Sequence, residues 1–301
     1  MSEKQLEHCS LCPRSCGTDR TAGQKGVCGE TAELRLARAA LHYWEEPCIS
    51  GKNGSGAVFF CGCPLHCVYC QNAEIAAGQT GKAVSSRRLA EIFRELAAQG
   101  AHNINLVTPT HYVPQIAEAI RQVKAEGFPL PFVYNTSSYE TVETLRQLEG
   151  LISIYLPDLK YVSTELSSRY SHAPDYFAAA SQAIAEMVRQ AGEAVFESGT
   201  GLMKRGVIVR HLLLPGCLAD SRRVVKYLYE TYGDRIYLSI MNQYTPMPQL
   251  ADYPELNRKV SRREYERLVD YALELGVENG FIQEGETAEE SFIPPFTCEG
   301  V

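Results

Sequence analysis

From residue 57 onward the chain alternates between nearly continuous apolar runs and runs of helical periodicity. The apolar runs are AVFF, NINLVT, FVYNT, ISIYLPD, GVIVRHLLLP and IYLSIM, with a weaker seventh, FIQ, further on. Unbroken apolar runs, as opposed to apolar–polar alternation, are the pattern of parallel strands covered on both faces. Between them, Leu89, Ile92, Phe93 and Leu96 recur at helical spacing after Ser85, and Gly100 stops the run. Pro114 opens a second helix with Ile116, Ile120 and Val123 on one face and Gly127 at its end. A third spans about Pro174 to Gly192, with Ile184, Met187 and Val188 as its stripe, and another follows Asp220. Ser261 and Glu264 form a capping box ahead of Tyr265, Leu268, Val269 and Ala272. Repeated strand–helix units with right-handed crossovers build either an open doubly wound sheet or a barrel. Eight units would close a barrel and six are clear, so the expected fold is α/β, a partial (βα)6 barrel over residues 56–301. In either architecture the active site lies at the carboxyl ends of the strands.

Residues 1–55 show little periodicity and read as a small Cys-rich metal-binding module with a linker. Cys9, Cys12, Cys16 and Cys28 are spaced C-x2-C-x3-C-x11-C, and Gly17, Gly23, Gly26 and Gly29 permit tight turns between them. Four thiolates suit a closed tetrahedral zinc site or a second iron–sulfur cluster, and the spacing leaves both open. Either would staple a segment too small to build its own core. In the linker HYWEEPCISG, Glu45 and Glu46 follow the only Trp. Two readings stand for this pair: one glutamate faces the substrate or cofactor, or both are solvated charges on a packing hinge.

Composition narrows the classes. With 45% hydrophobic residues in 301, the chain can bury a large core. A net charge of -7 argues against non-specific nucleic-acid binding. The opening residues lack an apolar signal core and no run of eighteen apolar residues occurs, so a cytoplasmic chain without a membrane span is expected. Eight of the eleven cysteines fall within residues 9–28 and 61–70, which in a cytosolic chain reads as metal ligation. Cys48, Cys217 and Cys298 read as ordinary thiols, although Cys217 follows a strand end.

The first strand of the alternating region runs into FFCGCPLHCVYCQN, residues 59–72. Cys63, Cys67 and Cys70 are spaced C-x3-C-x2-C, one thiolate short of the four that complete an iron–sulfur cluster. A cubane on three cysteines leaves one iron open to a ligand, and Tyr69 supplies an aromatic wall beside it. The rival reading is structural zinc, with Cys61 or His66 as fourth ligand. The later strands end in polar groups on the same side: Thr108 to His111, Asn135 to Ser138, Asp158 with Lys160, and Asn242 to Tyr244. Arg210 and His211 lie within one strand and point to opposite faces, so only one can face the interior.

C-x3-C-x-aromatic-C resembles the motif of the radical S-adenosylmethionine (radical SAM) superfamily. Together with CPRSCGTDR, YLPDLKY, VRHLLLPG and MNQYTP, the chain is similar over nearly its whole length to the pyruvate formate-lyase-activating-enzyme group, and within it to the PflX-type branch. The resemblance implies a [4Fe-4S] cluster on Cys63, Cys67 and Cys70, with S-adenosylmethionine beside Tyr69. It implies that Thr108 and Thr110 meet the cofactor's amino group, in a motif where Gly-Gly-Glu is common, so that no carboxylate stands there. Asn135 and Thr136 would flank the cofactor, and Asp158 and Lys160 would contact its amino-acid part and, as in related enzymes, a monovalent cation. Arg210 and Asn242 complete the expected cofactor set, with His211 a weaker candidate. The implied chemistry is reductive cleavage to a 5'-deoxyadenosyl radical that takes hydrogen from a substrate, with flavodoxin or ferredoxin as electron donor. The substrate would be a glycine of a partner glycyl radical enzyme or, alternatively, a small molecule or peptide. A non-catalytic iron–sulfur or zinc protein is the remaining reading, and it has no use for an amino-acid pocket at DLK and NTSS.

Overall fold

The computed structural model describes residues 2–283 and 294–301. Among these, ten strands form one sheet: β1 (Arg35–His42), β2 (Ser55–Phe60), β3 (Lys82–Ala83), β4 (Ile104–Val107), β5 (Phe132–Thr136), β6 (Ile154–Pro157), β7 (Val195–Phe196), β8 (Met203–Leu212), β9 (Tyr237–Met241) and β10 (Gly280–Ile282). Their order is β10-β9-β8-β6-β5-β4-β2-β1-β3, with β7 paired to β8. From β2 to β10 along this path every pairing is parallel, which is the partial barrel expected. Each of the six clear apolar runs overlaps a strand, and FIQ overlaps β10, which pairs with β9. Every residue of β2, β4, β5 and β6 is buried, so no exposed face is left to imprint alternation on the sequence.

Three short helices, α1 (Ser2–Glu7), α2 (Pro47–Ser50) and α3 (Ala73–Ala76), lie in the amino-terminal part. The others are α4 (Ser86–Ala98), α5 (Val113–Ala125), α6 (Val142–Arg146), α7 (Thr164–Ser171), α8 (Tyr176–Ala191), α9 (Leu218–Tyr232) and α10 (Arg262–Leu275). The Ser85 side chain accepts from the Arg88 amide to start α4, and the Ser261–Glu264 capping box starts α10. On α4, Leu89, Ile92, Phe93 and Leu96 are all buried, and the Phe93 ring meets Phe132 of β5 edge-on at 5.1 Å. Each such side chain contributes roughly 1.5–3 kcal/mol by leaving water. None of the described helices is long and apolar enough to cross a membrane.

The structure redraws the boundary expected between residues 55 and 56. β1 lies on its amino-terminal side yet pairs antiparallel along β2, from Leu36 opposite Phe60 to His42 opposite Ser55. Leu34, Leu36 and Ala39 belong to the same core cluster as the barrel helices. The sequence RLARAALH conceals this strand because alanines and charges carry little strand signal. On the outer edge of β1, the Ala39 amide donates to the Glu299 carbonyl and the Cys298 amide to the Ala37 carbonyl.

Candidate active site

A cavity of about 230 Å³ opens at the carboxyl ends of the strands. Cys63, Cys67, Tyr69, Cys70, Thr108, Asn135, Thr136, Asp158, Lys160 and Arg210 all line it. Register explains much of this convergence. The Asp158 amide continues the ladder to the Thr136 carbonyl, and Asp158 bridges Arg210 on β8. Arg210 is the hub of the wall opposite the thiols. Its Nε donates to Asp158 Oδ1 at 3.0 Å, Nη1 to Glu45 Oε2 at 3.0 Å and Nη2 to Asn135 Oδ1 at 2.6 Å. Lys160 Nζ donates to the other Asp158 oxygen at 2.7 Å. Burial works to raise the Asp158 carboxyl, but Lys160 and Arg210 hold it below the usual aspartate range. Burial likewise works to lower Lys160, and Asp158 and Cys67 keep it above the usual lysine value.

Glu45 settles one question that the linker left open. Its carboxylate turns into the cavity, accepting from Arg210, from Asn105 Nδ2 at 2.9 Å and from Asn135 Nδ2 at 3.3 Å. Glu46 is buried, with Oε2 unpartnered, and burial pushes its carboxyl upward. Trp44 also lines the cavity and remains 62% exposed, which places it at the rim.

The thiol loop shows why three sulfurs, not four, face this space. Cys61 is buried among Ala37, Phe59 and Ile75 and does not line the cavity, its Sγ donating to the Thr80 carbonyl at 3.0 Å. A Cβ on Gly81, at φ +124°, would sit 2.2 Å from that sulfur, so glycine there is what admits the Cys61 thiol. The His66 ring is held by the Val27 carbonyl at 2.6 Å. Neither candidate for a fourth zinc ligand lines the cavity. Burial pushes Cys63 up to about 11 and Cys70 to about 12, with nearby Cys67 adding to both. Thiols crowded in a dry pocket resist ionisation, and cluster iron supplies the positive charge that offsets it. Three inward thiols beside an open cavity therefore fit a cluster with one free iron corner.

Two expected residues lie elsewhere. Thr110 is buried outside the cavity because its hydroxyl turns back to donate to Glu140 Oε1 at 2.6 Å. Asn242 leaves the cavity to its neighbours Met241 and Gln243, while its own amide donates to Gln283. His211 faces away from Arg210, with Nδ1 against the Leu159 carbonyl at 2.7 Å and burial lowering it to about 4. Cys217 caps α9 outside the cavity.

The TPT motif shows two further features. Thr108 holds a left-handed backbone at φ 58°, the conformation glycine would take without strain; for a β-branched residue it costs on the order of 1–2 kcal/mol. A carboxylate stands beneath this motif, outside the cavity lining. Glu140 Oε1 accepts from Thr110, Thr136 and Tyr134 hydroxyls, while Oε2 is buried without a partner. Burial raises Glu140 to about 7 against the pull of those hydroxyls. No local spacing marks Glu140, since it meets Thr110 and Thr136 only where the chain folds back beneath the strand ends.

The amino-terminal cysteines form a second, closed environment. Cys9, Cys12 and Cys28 are buried and Cys16 partly so. A Cβ on Gly26 would lie 3.4 Å from Cys16 Sγ and 3.5 Å from Cys28 Sγ. Arg20 is 1% exposed, and its partners are Cys9 Sγ at 3.8 Å and the carbonyls of His111 and Thr31. Burial pushes Cys12 up to about 12. Among the described residues, no three His, Cys, Asp or Glu side chains are already drawn together around one ion position. The segment touches the first thiol loop directly, the Cys63 amide donating to the Cys28 carbonyl at 3.1 Å. Gly62, at φ +82°, permits this approach, since a Cβ there would meet the Cys28 carbonyl at 2.7 Å.

Comparison with known proteins bears on the same residues. An uncharacterized protein of Methanocaldococcus jannaschii, MJ0674, is 26% identical over 275 residues, covering 89% of this chain and 75% of that one. SuiB of Streptococcus suis, solved bound to S-adenosylmethionine, superposes with a TM-score of 0.52 at 16% identity, covering 75% of this chain and 49% of SuiB. SuiB bound to its precursor peptide SuiA gives 0.51 at 16% identity, covering 75% and 47%. Methylornithine synthase (PylB) gives 0.50 at 13% identity, covering 79% and 75%. This chain thus spans about half the length of SuiB, and at such identities the likeness speaks for the fold. The family model of the radical SAM superfamily matches residues 57–216, from β2 through the thiol loop to the end of β8. That span is more than half of the chain and carries most of the cavity wall, and the chain belongs to the radical SAM superfamily.

Proposed function

We propose that Cys63, Cys67 and Cys70 hold a [4Fe-4S] cluster, and that S-adenosylmethionine binds between it and the Asp158–Lys160–Arg210 wall. The observation that carries this reading is the opposition of three inward thiols, with no fourth beside them, to paired charges suited to a zwitterionic amino-acid group. When bound, cluster and cofactor supply an electron and a 5'-deoxyadenosyl radical able to take a hydrogen atom from a substrate. The protein's part is positional. Lys160 and Arg210 attract a carboxylate, Asp158 and the Thr136 hydroxyl accept from an ammonium group, and the buried strand ends exclude water. A monovalent cation at Asp158 would have to share a carboxylate already bonded to two side-chain cations.

The substrate we favour is a glycine of a partner glycyl radical enzyme, reached past the exposed Trp44 at the rim, with flavodoxin or ferredoxin supplying electrons. The four amino-terminal cysteines take zinc or a second iron–sulfur cluster in this reading. Anaerobic incubation with S-adenosylmethionine and dithionite tests the activity: 5'-deoxyadenosine is expected, and its absence from cluster-loaded protein would refute the reading. An electron paramagnetic resonance signal of a glycyl radical in a candidate partner supports the substrate; deuterium passing from a small labelled compound into 5'-deoxyadenosine replaces it with the small-molecule alternative.

A further inference from the structure

A file of buried hydroxyl groups joins the cavity wall to the middle thiol of the loop. The hydroxyls of Tyr69 and Tyr161 are 2.6 Å apart, Tyr161 and Ser171 are 2.9 Å apart, and Ser171 Oγ donates to Cys67 Sγ at 3.1 Å. Tyr161 is 1% exposed and Ser171 fully buried, so water does not compete for these bonds. Proton counting fixes the direction of the last bond once Cys67 is a metal-bound thiolate. The sulfur can then only accept, so Ser171 gives its single proton to sulfur; the Tyr161 hydroxyl, 2.9 Å from Ser171, gives its own to Tyr69.

The donor is held with as much care as the acceptor. Ser171 is the last residue of α7, which stops at His172 in a left-handed turn at φ 50°. The Arg14 guanidinium lies between this helix end and the thiol loop. It donates to the carbonyls of Ser171 at 3.2 Å and His172 at 2.6 Å, and to those of Pro64 at 2.9 Å and Leu65 at 3.4 Å. The Val68 amide donates to the Tyr170 carbonyl at 2.9 Å, closing the same junction. Arg14 stands between Cys12 and Cys16, so the amino-terminal cysteine segment reaches across to fix the spacing of Ser171 and Cys67.

We propose that Ser171 is a positioning residue that sets the redox poise of the cluster: its hydroxyl, held in place by Arg14, favours the reduced state by donating to the Cys67 sulfur. Hydrogen bonds to ligand sulfurs are one of the terms that set iron–sulfur potentials, and extra electron density on the thiolate strengthens such a bond. The inference rests on Cys67 being a cluster ligand, and the experiment separates the two claims. Wild type, Ser171→Ala, Ser171→Thr and Arg14→Gln are loaded anaerobically, assayed for iron and sulfide, and titrated against potential by electron paramagnetic resonance. In Ser171→Ala the reduced-to-oxidised ratio at a fixed potential falls by up to tenfold, a downward midpoint shift of about 59 mV for one electron. Ser171→Thr keeps the hydroxyl and restores the wild-type midpoint, while Arg14→Gln, which loosens the helix end that carries Ser171, gives a smaller downward shift. A fully loaded Ser171→Ala with the wild-type midpoint overturns the proposal. Should that variant fail to load, an unshifted Arg14→Gln overturns it instead. Failure of the wild type itself to take a cluster would refute the ligand assignment, a result distinct from either.

Discussion

The two cysteine regions share a chemical vocabulary and differ in what faces them. The loop at 63–70 presents three thiols to a cavity whose far wall is charged, and its nearest spare thiol, Cys61, is turned away to Thr80. The segment at 9–28 gathers four thiols against its own glycine turns, main-chain carbonyls and the buried Arg20. In the proposed reading, one arrangement leaves a ligand position for chemistry and the other closes around a metal. Ligand count is therefore written in the spacing, whereas the use of the site depends on the surface opposite.

The largest effect that could break this contrast is at Cys67. Cys67→Ala is expected to abolish 5'-deoxyadenosine formation while circular dichroism stays native; Cys61→Ala should keep turnover within about twofold, because Cys61 serves core packing. Equal loss in both would erase the distinction drawn between them. Next comes the closed region, where Cys12→Ala should cost folding before chemistry, on the order of 3 kcal/mol in denaturant titration. Unchanged stability after that substitution, and after chelation, would remove the staple role. At the open site, Asp158→Asn leaves Arg210 and Lys160 short of a counter-charge, and S-adenosylmethionine affinity by calorimetry should fall by about 2–3 kcal/mol. The effect that touches the contrast least is a pH dependence at Glu140. Its folded value, about 7, lies above the ordinary 4.5, so the folded state binds the extra proton between these values and stability falls as pH rises through that window. Glu140→Gln removes this slope, gaining at most roughly 3 kcal/mol on the wild type at pH 8 relative to pH 4. Parallel stability profiles for the two proteins would show that Glu140 does not titrate there.

What could be read in advance follows the range of the interactions involved. Strands buried on both faces announce themselves as apolar runs, and DLK and C-x3-C-x2-C are local spacings, so Asp158, Lys160 and the three thiols were legible. β1 was not, because RLARAALH gains its strand character from pairing with β2. Thr110 misled because a hydroxyl at a strand end says nothing about which side it turns to, and a buried carboxyl thirty residues on captured it. Arg14 and Ser171 were invisible for a related reason. Their partners lie up to 158 residues away in sequence, and nothing in either local pattern anticipates the other.

The pairing of segment 298–301 against β1 has a consequence for how the molecule behaves in company. A bare sheet margin offers unpaired amides and carbonyls to any passing extended chain, the usual start of self-association. Here Glu299 and Cys298 take up those groups, the Arg38–Glu299 ion pair fastens them, and Gly300 lies so close to Ala39 that no larger residue fits. Fusions or truncations at this point would uncover the margin and should be met first as loss of monodispersity, before any loss of turnover.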